Sequence, residues 1–252
     1  MNFPPIRTID DVIHALDQII AESEKTQSPD GYFAALYRKV TIKVKEGIAN
    51  GFFDDGPRME KLDVVFASRY LDAYRAYRNE LSVTNSWKVA FDKAKEYWPI
   101  VLQHLLVGIN AHINLDLGIA AAEVMEGKPI EDLKGDFDKI NKILSDLVEG
   151  VEKDLSAIWP TLRRILKWTR KVDDFLIDFS MEIAREGAWK FAKTYHDTPN
   201  LEKIKVLNQR DLKVANNAEI IFPKSWVIRL VLSIVRMGEK GTVAENIDVL
   251  ES

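Results

Sequence analysis

One stretch constrains this chain more than any other: Ile100-Val-Leu-Gln-His-Leu-Leu-Val-Gly-Ile-Asn-Ala-His-Ile-Asn-Leu-Asp-Leu-Gly-Ile-Ala-Ala-Ala-Glu123. Before Glu123 it carries one acid, Asp116, and no lysine or arginine. A helix that is apolar almost all round must be wrapped by other helices. The uncharged part is shorter than the roughly 18 residues of a membrane span, so the expectation is a buried core helix and no span.

The flanking sequence supplies the wrapping. Apolar residues recur at helical spacing over Ile9–Ser23, Tyr32–Ala49, Arg58–Asn79, Ser86–Glu96, Ile100–Glu126, Ile130–Ile158, Thr161–Tyr195 and Lys224–Met237. Glycine and proline fall mostly at the joints, as in Gln27-Ser-Pro-Asp-Gly31 and Asp197-Thr-Pro-Asn200. Thr8 is a natural N-cap for the first helix, and Pro57 can open the third.

Residues 201–222 are less periodic, Ile220-Ile-Phe-Pro223 reads as a short extended piece, and the chain after 237 reads as a frayed tail. The expectation is therefore all-α: one bundle of about eight helices spanning 1–252. Its core covers about 8–196, it has two largely buried central helices, and a C-terminal extension carries the helix at 224–237.

Composition excludes several chemistries. With no cysteine there is no disulfide, no zinc ribbon and no thiol nucleophile, and four histidines leave few nitrogen ligands for a metal. A net charge of −4 gives no general attraction to nucleic acid. The N-terminus lacks the basic and apolar regions of a signal peptide, so a cytoplasmic protein is the default.

The central helix carries a polar stripe. At about 100° per residue from His104, His112 falls near 80°, Glu123 near 100° and Asp116 near 120°. Gly108 lies on the same side and leaves room for a ligand or a neighbouring helix. Asn110 and Asn114 face the other way, near 240° and 280°.

His112 and Asp116, at i and i+4, can meet one ion, or the carboxylate can orient the imidazole as a general base. The same residues can instead hydrogen-bond one another and fix helix register. In the second central helix Asp178, Glu182, Arg185, Glu186 and Trp189 form a charged band at helical spacing, which also reads as a set of ion pairs.

The basic run Thr161–Lys171 reads as a solvated face. In the third helix Arg69 and Tyr70 are candidates for binding a substrate anion and for donating a hydroxyl. No Glu-x-x-His pair, G-x-S-x-G elbow, phosphate-binding glycine loop or H-E-x-x-H motif occurs.

The runs Arg58–Ala73, Ser86-Trp-Lys-Val-Ala-Phe91, Leu102–Gly118 and Ala184-Arg-Glu-Gly-Ala-Trp189 together resemble domain of unknown function 5995, an uncharacterised bacterial helical family. The Asn110-Ala-His-Ile-Asn-Leu-Asp116 run is the specific part of the likeness, which spans roughly residues 30–195. The resemblance implies a bacterial origin and a helical fold, and carries no reaction. It also implies that His104, Asn110, His112, Asn114, Asp116, Arg185, Glu186 and Trp189 belong to the family's motif blocks.

The leading expectation is an enzyme, a hydrolase or oxidoreductase, using a divalent transition metal held by His104, His112, Asp116 and Glu182. His112, Asp116, Arg185 and Glu186 would be catalytic, and Arg69, Tyr70, Asn110, Asn114 and Trp189 would bind a small, largely apolar substrate. The competing expectation is a non-catalytic helical module that binds an apolar ligand or a protein partner.

Overall fold

The computed structural model describes residues 4–140, 142–144, 158 and 181–251, apart from the side chains of 181–183. Among these residues there is no strand, and the chain forms ten α-helices: α1 (Ile9–Thr26), α2 (Asp30–Ala49), α3 (Gly56–Arg78), α4 (Asn85–Ala94), α5 (Val101–Ala111), α6 (Leu117–Val124), α7 (Met181–Asp197), α8 (Asn200–Ile221), α9 (Trp226–Gly238) and α10 (Val243–Glu251). The count exceeds the expected eight because α8 and α10 are added and the helix expected over Ile100–Glu126 is divided into α5 and α6, while the helix expected over Ile130–Ile158 is not among the ten.

The segment expected to be irregular, 201–222, is almost wholly the long helix α8, Asn200–Ile221. Its periodicity is faint because Leu201, Ile204, Leu212 and Ile220 are exposed, and only Asp211, Val214, Ala218 and Ile221 are buried. The tail forms α10, whose Ile247 and Leu250 close over α1 and α2. The stretch expected to be helical from Ile130 opens with a 3-10 turn, Ile130–Leu133. Most of Thr161–Tyr195, including Asp178 and the basic run at 161–171, lies outside the described residues.

Local signals start the helices. Thr8 caps α1 through a reciprocal box: the Asp11 amide donates to Thr8 Oγ1 at 3.2 Å, and the Thr8 amide donates to Asp11 Oδ2 at 2.9 Å. Two buried aspartates do the same work from a distance. Asp136 accepts from the amides of Asp54 and Asp55 and from Arg58, fixing the entry to α3. Asp211 of α8 accepts from the Asn85 and Ser86 amides at the N-terminus of α4, where Thr84 makes no side-chain cap.

The stretch that opened the sequence reading is a continuous rod. α5 passes into a π turn, His112–Asp116, and then into α6. By length and composition Val101–Val124 could cross a membrane, but 94% of its most apolar window is buried inside the protein. α2, α4 and α8 pack on α5, while α3 and α7 pack on α6. Two glycines of the rod permit close approaches: a Cβ on Gly108 would stand 2.6 Å from the Phe33 ring, and one on Gly118 would stand 2.6 Å from Phe191.

Candidate functional site

The π turn places an ion-paired carboxylate in the core. Asp116 is 1% exposed. Its Oδ1 accepts from Arg69 Nε of α3 at 2.8 Å, and its Oδ2 accepts from Trp87 Nε1 of α4 at 2.8 Å. His112 Nδ1 lies 3.3 Å from the same Oδ2. Three elements thus converge on one side chain.

A π turn holds one residue more than an α turn, so everything beyond it is turned back by about 100° relative to a plain α-helix. Glu123, projected beside His112, instead emerges half-exposed, 3.9 Å from Arg69. The wider turn also leaves the Asn114 carbonyl open to Arg210 Nε of α8, at 2.8 Å.

The electrostatics follow from burial and pairing. Burial pushes the Asp116 carboxyl up, but the Arg69 guanidinium, His112 and the Trp87 N–H together hold it below the usual carboxylate range. Burial lowers the pKa of His112, and Asp116 offsets only part of that. At neutral pH the pair is therefore a carboxylate and a neutral imidazole.

A carboxylate only accepts, so His112 donates through Nδ1–H and its Nε2 carries a lone pair. That Nε2 is buried and has no hydrogen-bond partner. Aromatic rings enclose the imidazole: Phe66 is stacked on it at 3.6 Å, Tyr37 meets it edge-on at 4.5 Å, and Phe33 and Trp87 lie at 5.7 and 5.9 Å.

A family model described as a family of unknown function, DUF5995, matches residues 9–223. The chain belongs to the DUF5995 family. No curated protein and no solved structure matches it. The match to DUF5995 covers every element that meets at Asp116, as well as α7 and α8.

The other residues singled out from the sequence lie in several places. Tyr70 is buried in the aromatic cluster, 5.0 Å from Phe33 and from Trp87. His104 packs against Tyr32, with ring centroids 5.8 Å apart, and burial takes its pKa down to about 3.

His104 does not join His112. Both project to one side of the rod, but eight residues of rise separate them by about 12 Å, too far for one ion. Beside His104 a cavity of about 20 Å³, the size of one water, is lined by Asp30, Phe33, Tyr70, Trp87 and Gly108. The room expected at Gly108 is filled by the Phe33 ring.

Asn110 and Asn114 staple the rod to α8. Asn114 Nδ2 donates to Asn110 Oδ1 at 3.0 Å, and Asn110 Nδ2 donates to the Val214 carbonyl at 2.9 Å. Arg185 is buried around Phe137 instead, donating to its carbonyl at 2.8 Å, and Trp189 packs on the same ring at 4.9 Å. Burial brings Arg185 down to about 10, still a cation at neutral pH. Glu186 is 66% exposed and faces Lys190, so it points away from the core.

The side chain of Glu182, expected as a metal ligand, lies outside the described residues. Among the described residues, three acid or histidine donors come within 4.8 Å of one another only at Glu24, Asp248 and Glu251, between α1 and α10. The donors of His104, His112 and Asp116 do not converge in this way.

Sequence reasoning missed Trp87, Phe66 and Tyr37 as neighbours of His112 and Asp116, and gave Asp63 no role. Trp87 and Phe66 carried a faint signal as large aromatics at helical spacing. Nothing in the sequence marks Trp87 as a donor to an acid 29 residues away.

Proposed function

We propose that this member of DUF5995 is an enzyme in which neutral His112, oriented by Asp116, serves as general base toward a small, largely apolar substrate enclosed by the surrounding rings. The observation that carries this reading is the buried, unpartnered Nε2 of an imidazole whose other nitrogen faces a carboxylate. A base needs a lone pair at working pH and a fixed direction, and here neutrality and Asp116 supply the two. Arg69 and Trp87 fix the orienting carboxylate, so they act as positioning residues rather than as substrate anchors. Apo active sites often show long catalytic hydrogen bonds, and the 3.3 Å separation fits that pattern.

The experiment is a turnover screen of small apolar esters, amides and ketones with the wild-type protein and His112→Gln. A general base contributes about a hundredfold or more. At least one compound should therefore react, and the variant should react at least a hundredfold more slowly while melting cooperatively. Equal rates in the two proteins would remove His112 from the chemistry.

A second reading has its own observation. The Asp116 hydrogen bonds to Arg69 and Trp87 run between helices, and a cavity beside His104 has room for one water. This favours a non-catalytic module in which the polar cluster keeps α3, α4 and the central rod in register. In that case His112→Leu melts at or above the wild-type temperature, since apolar replacements of buried polar groups are often neutral or stabilising.

A further inference from the structure

The amino end of α2 carries an acid that the helix does not need as a cap. The amides of Asp30, Gly31 and Tyr32 are already taken by the Ser28 hydroxyl, the Ser28 carbonyl and the Pro29 carbonyl. Among the described residues, the Asp30 carboxylate accepts only at Oδ2, from the Ser28 hydroxyl at 3.1 Å. Asp30 instead lines the cavity beside His104, together with Phe33, Tyr70, Trp87 and Phe91.

That cavity has a deep floor and an open mouth. Phe33, Tyr70, Trp87, Phe91 and His104 are buried, whereas Pro29, Asp30 and Ala94 at its rim are half-buried. The four rings form a continuous wall: Tyr70 stands 5.0 Å from Phe33 and from Trp87, and Trp87 stacks on Phe91 at 5.3 Å. Burial keeps His104 neutral, and the Pro99 carbonyl takes its N–H, so the other ring nitrogen is an acceptor.

No lysine or arginine lines the cavity. The two cations whose charge reaches Asp30 are drawn elsewhere: Arg78 faces Glu22 at 3.8 Å, and Lys95 lies over the Tyr77 ring at 4.5 Å. A carboxylate beside aromatic rings in a partly enclosed cavity selects a cation. The last carbonyls of α4, which ends at Ala94 on the rim, add partial negative charge. The volume of about 20 Å³, that of one water, accepts an –NH3+ head and is too small for a trimethylammonium group.

We propose that this cavity binds the head of a small primary alkylammonium ion, with Asp30 as counter-ion, the rings of Phe33, Tyr70, Trp87 and Phe91 around it, and the alkyl tail leaving between Pro29 and Ala94. His112 is not part of the site, which stands whether or not that residue is a base. Burial pushes the Asp30 carboxyl up, and an ammonium ion beside it supplies the partner that offsets this.

The test titrates methylammonium chloride into the full chain at pH 7 and constant ionic strength, with sodium chloride as the balancing salt. Binding is read from the Trp87 indole N–H signal by nuclear magnetic resonance. A saturable shift is expected, with affinity lowered at least tenfold in Asp30→Asn and in Ala94→Leu, which narrows the mouth without changing charge. Tetramethylammonium, too wide to enter, should bind at least tenfold more weakly than methylammonium.

No saturable shift at millimolar methylammonium means that the cavity holds water only, and overturns the proposal. Equal affinity for tetramethylammonium, or unchanged affinity in both variants, places the cation on the outer surface and overturns it as well. If the variants fail to fold, nuclear Overhauser contacts in the wild-type protein decide. Contacts from the probe methyl to the Trp87 and Phe91 rings support the site, and their absence overturns it.

Discussion

Phe66 lies face to face with His112, ring centroids 3.6 Å apart and planes within 7° of parallel. A neutral imidazole, not an imidazolium, is the form that burial favours here. The stack therefore covers one face of the ring while leaving both nitrogens in its plane free to hydrogen-bond. Removing the ring should be costly because Phe66 bridges α3 and the π turn. Phe66→Ala is expected to lose about 3 kcal/mol or more in urea unfolding, the usual range for deleting a buried phenyl. A loss under about 1 kcal/mol would mean that the ring is not packed as described.

Asp116 and its two side-chain donors make a paired test. Trp87→Phe keeps the ring packing and removes one hydrogen bond, so a loss of about 1–2 kcal/mol is expected. Asp116→Leu leaves the part-buried Arg69 guanidinium and the Trp87 N–H without their acceptor, and about 3 kcal/mol or more should be lost. Denaturant midpoints at constant slope measure both. If the two substitutions cost the same, the carboxylate is not the shared anchor of α3 and α4.

His104 gives the fold a pH dependence of known sign. Its folded pKa is about 3, against an ordinary histidine in the unfolded chain, so the unfolded state binds more protons between about pH 3 and 6.5. Stability from keeping His104 neutral is present above about pH 6.5 and lost as the pH falls toward 3. At pH 5 the loss should be about 2 kcal/mol. His104→Gln should flatten that part of the stability–pH curve, and an unchanged acid limb would assign the slope to other groups.

Asp63 predicts the opposite slope. Its folded pKa, raised to about 8, lies above the unfolded carboxylate value, so its contribution is fully present below about pH 4 and is lost as the pH rises toward 8. Asp63→Asn cannot ionise. Its melting temperature should match wild type near pH 4 and exceed it at pH 8. A constant difference across that range contradicts a protonated Asp63.

How much of this was legible from sequence differs residue by residue. The central rod was readable because burial leaves no freedom to place charge. The His112–Asp116 spacing was readable because i and i+4 meet on either an α or a π turn. The π turn itself left no mark, since none of His112-Ile-Asn-Leu-Asp116 is a helix breaker. Without it, Glu123 projects onto the site when it belongs at the surface.

His104 was grouped with His112 because an angular projection discards the rise along the axis. α8 was missed because a helix that buries one thin stripe on α4 and α5 can carry apolar residues on its exposed side and lose its period. The partners of Asp116 on α3 and α4 are tertiary facts that spacing along the chain does not encode.

Gly118 is the last point where sequence and packing meet. A Cβ there would lie 2.6 Å from the Phe191 ring and 3.0 Å from the Ala188 carbonyl of α7. The ring can rotate away, but the carbonyl belongs to helix backbone and moves only with α7. Gly118→Ala gains about 1 kcal/mol of helix propensity and should still be destabilising, because overpacking against backbone costs about 1–3 kcal/mol. Gly108→Ala is the control, since its nearest neighbours are all atoms of the Phe33 side chain. Thermal melts should place Gly118→Ala below Gly108→Ala. The reverse order would mean that α7 yields more easily than the Phe33 ring, and that α6 and α7 are not held together by this close backbone approach.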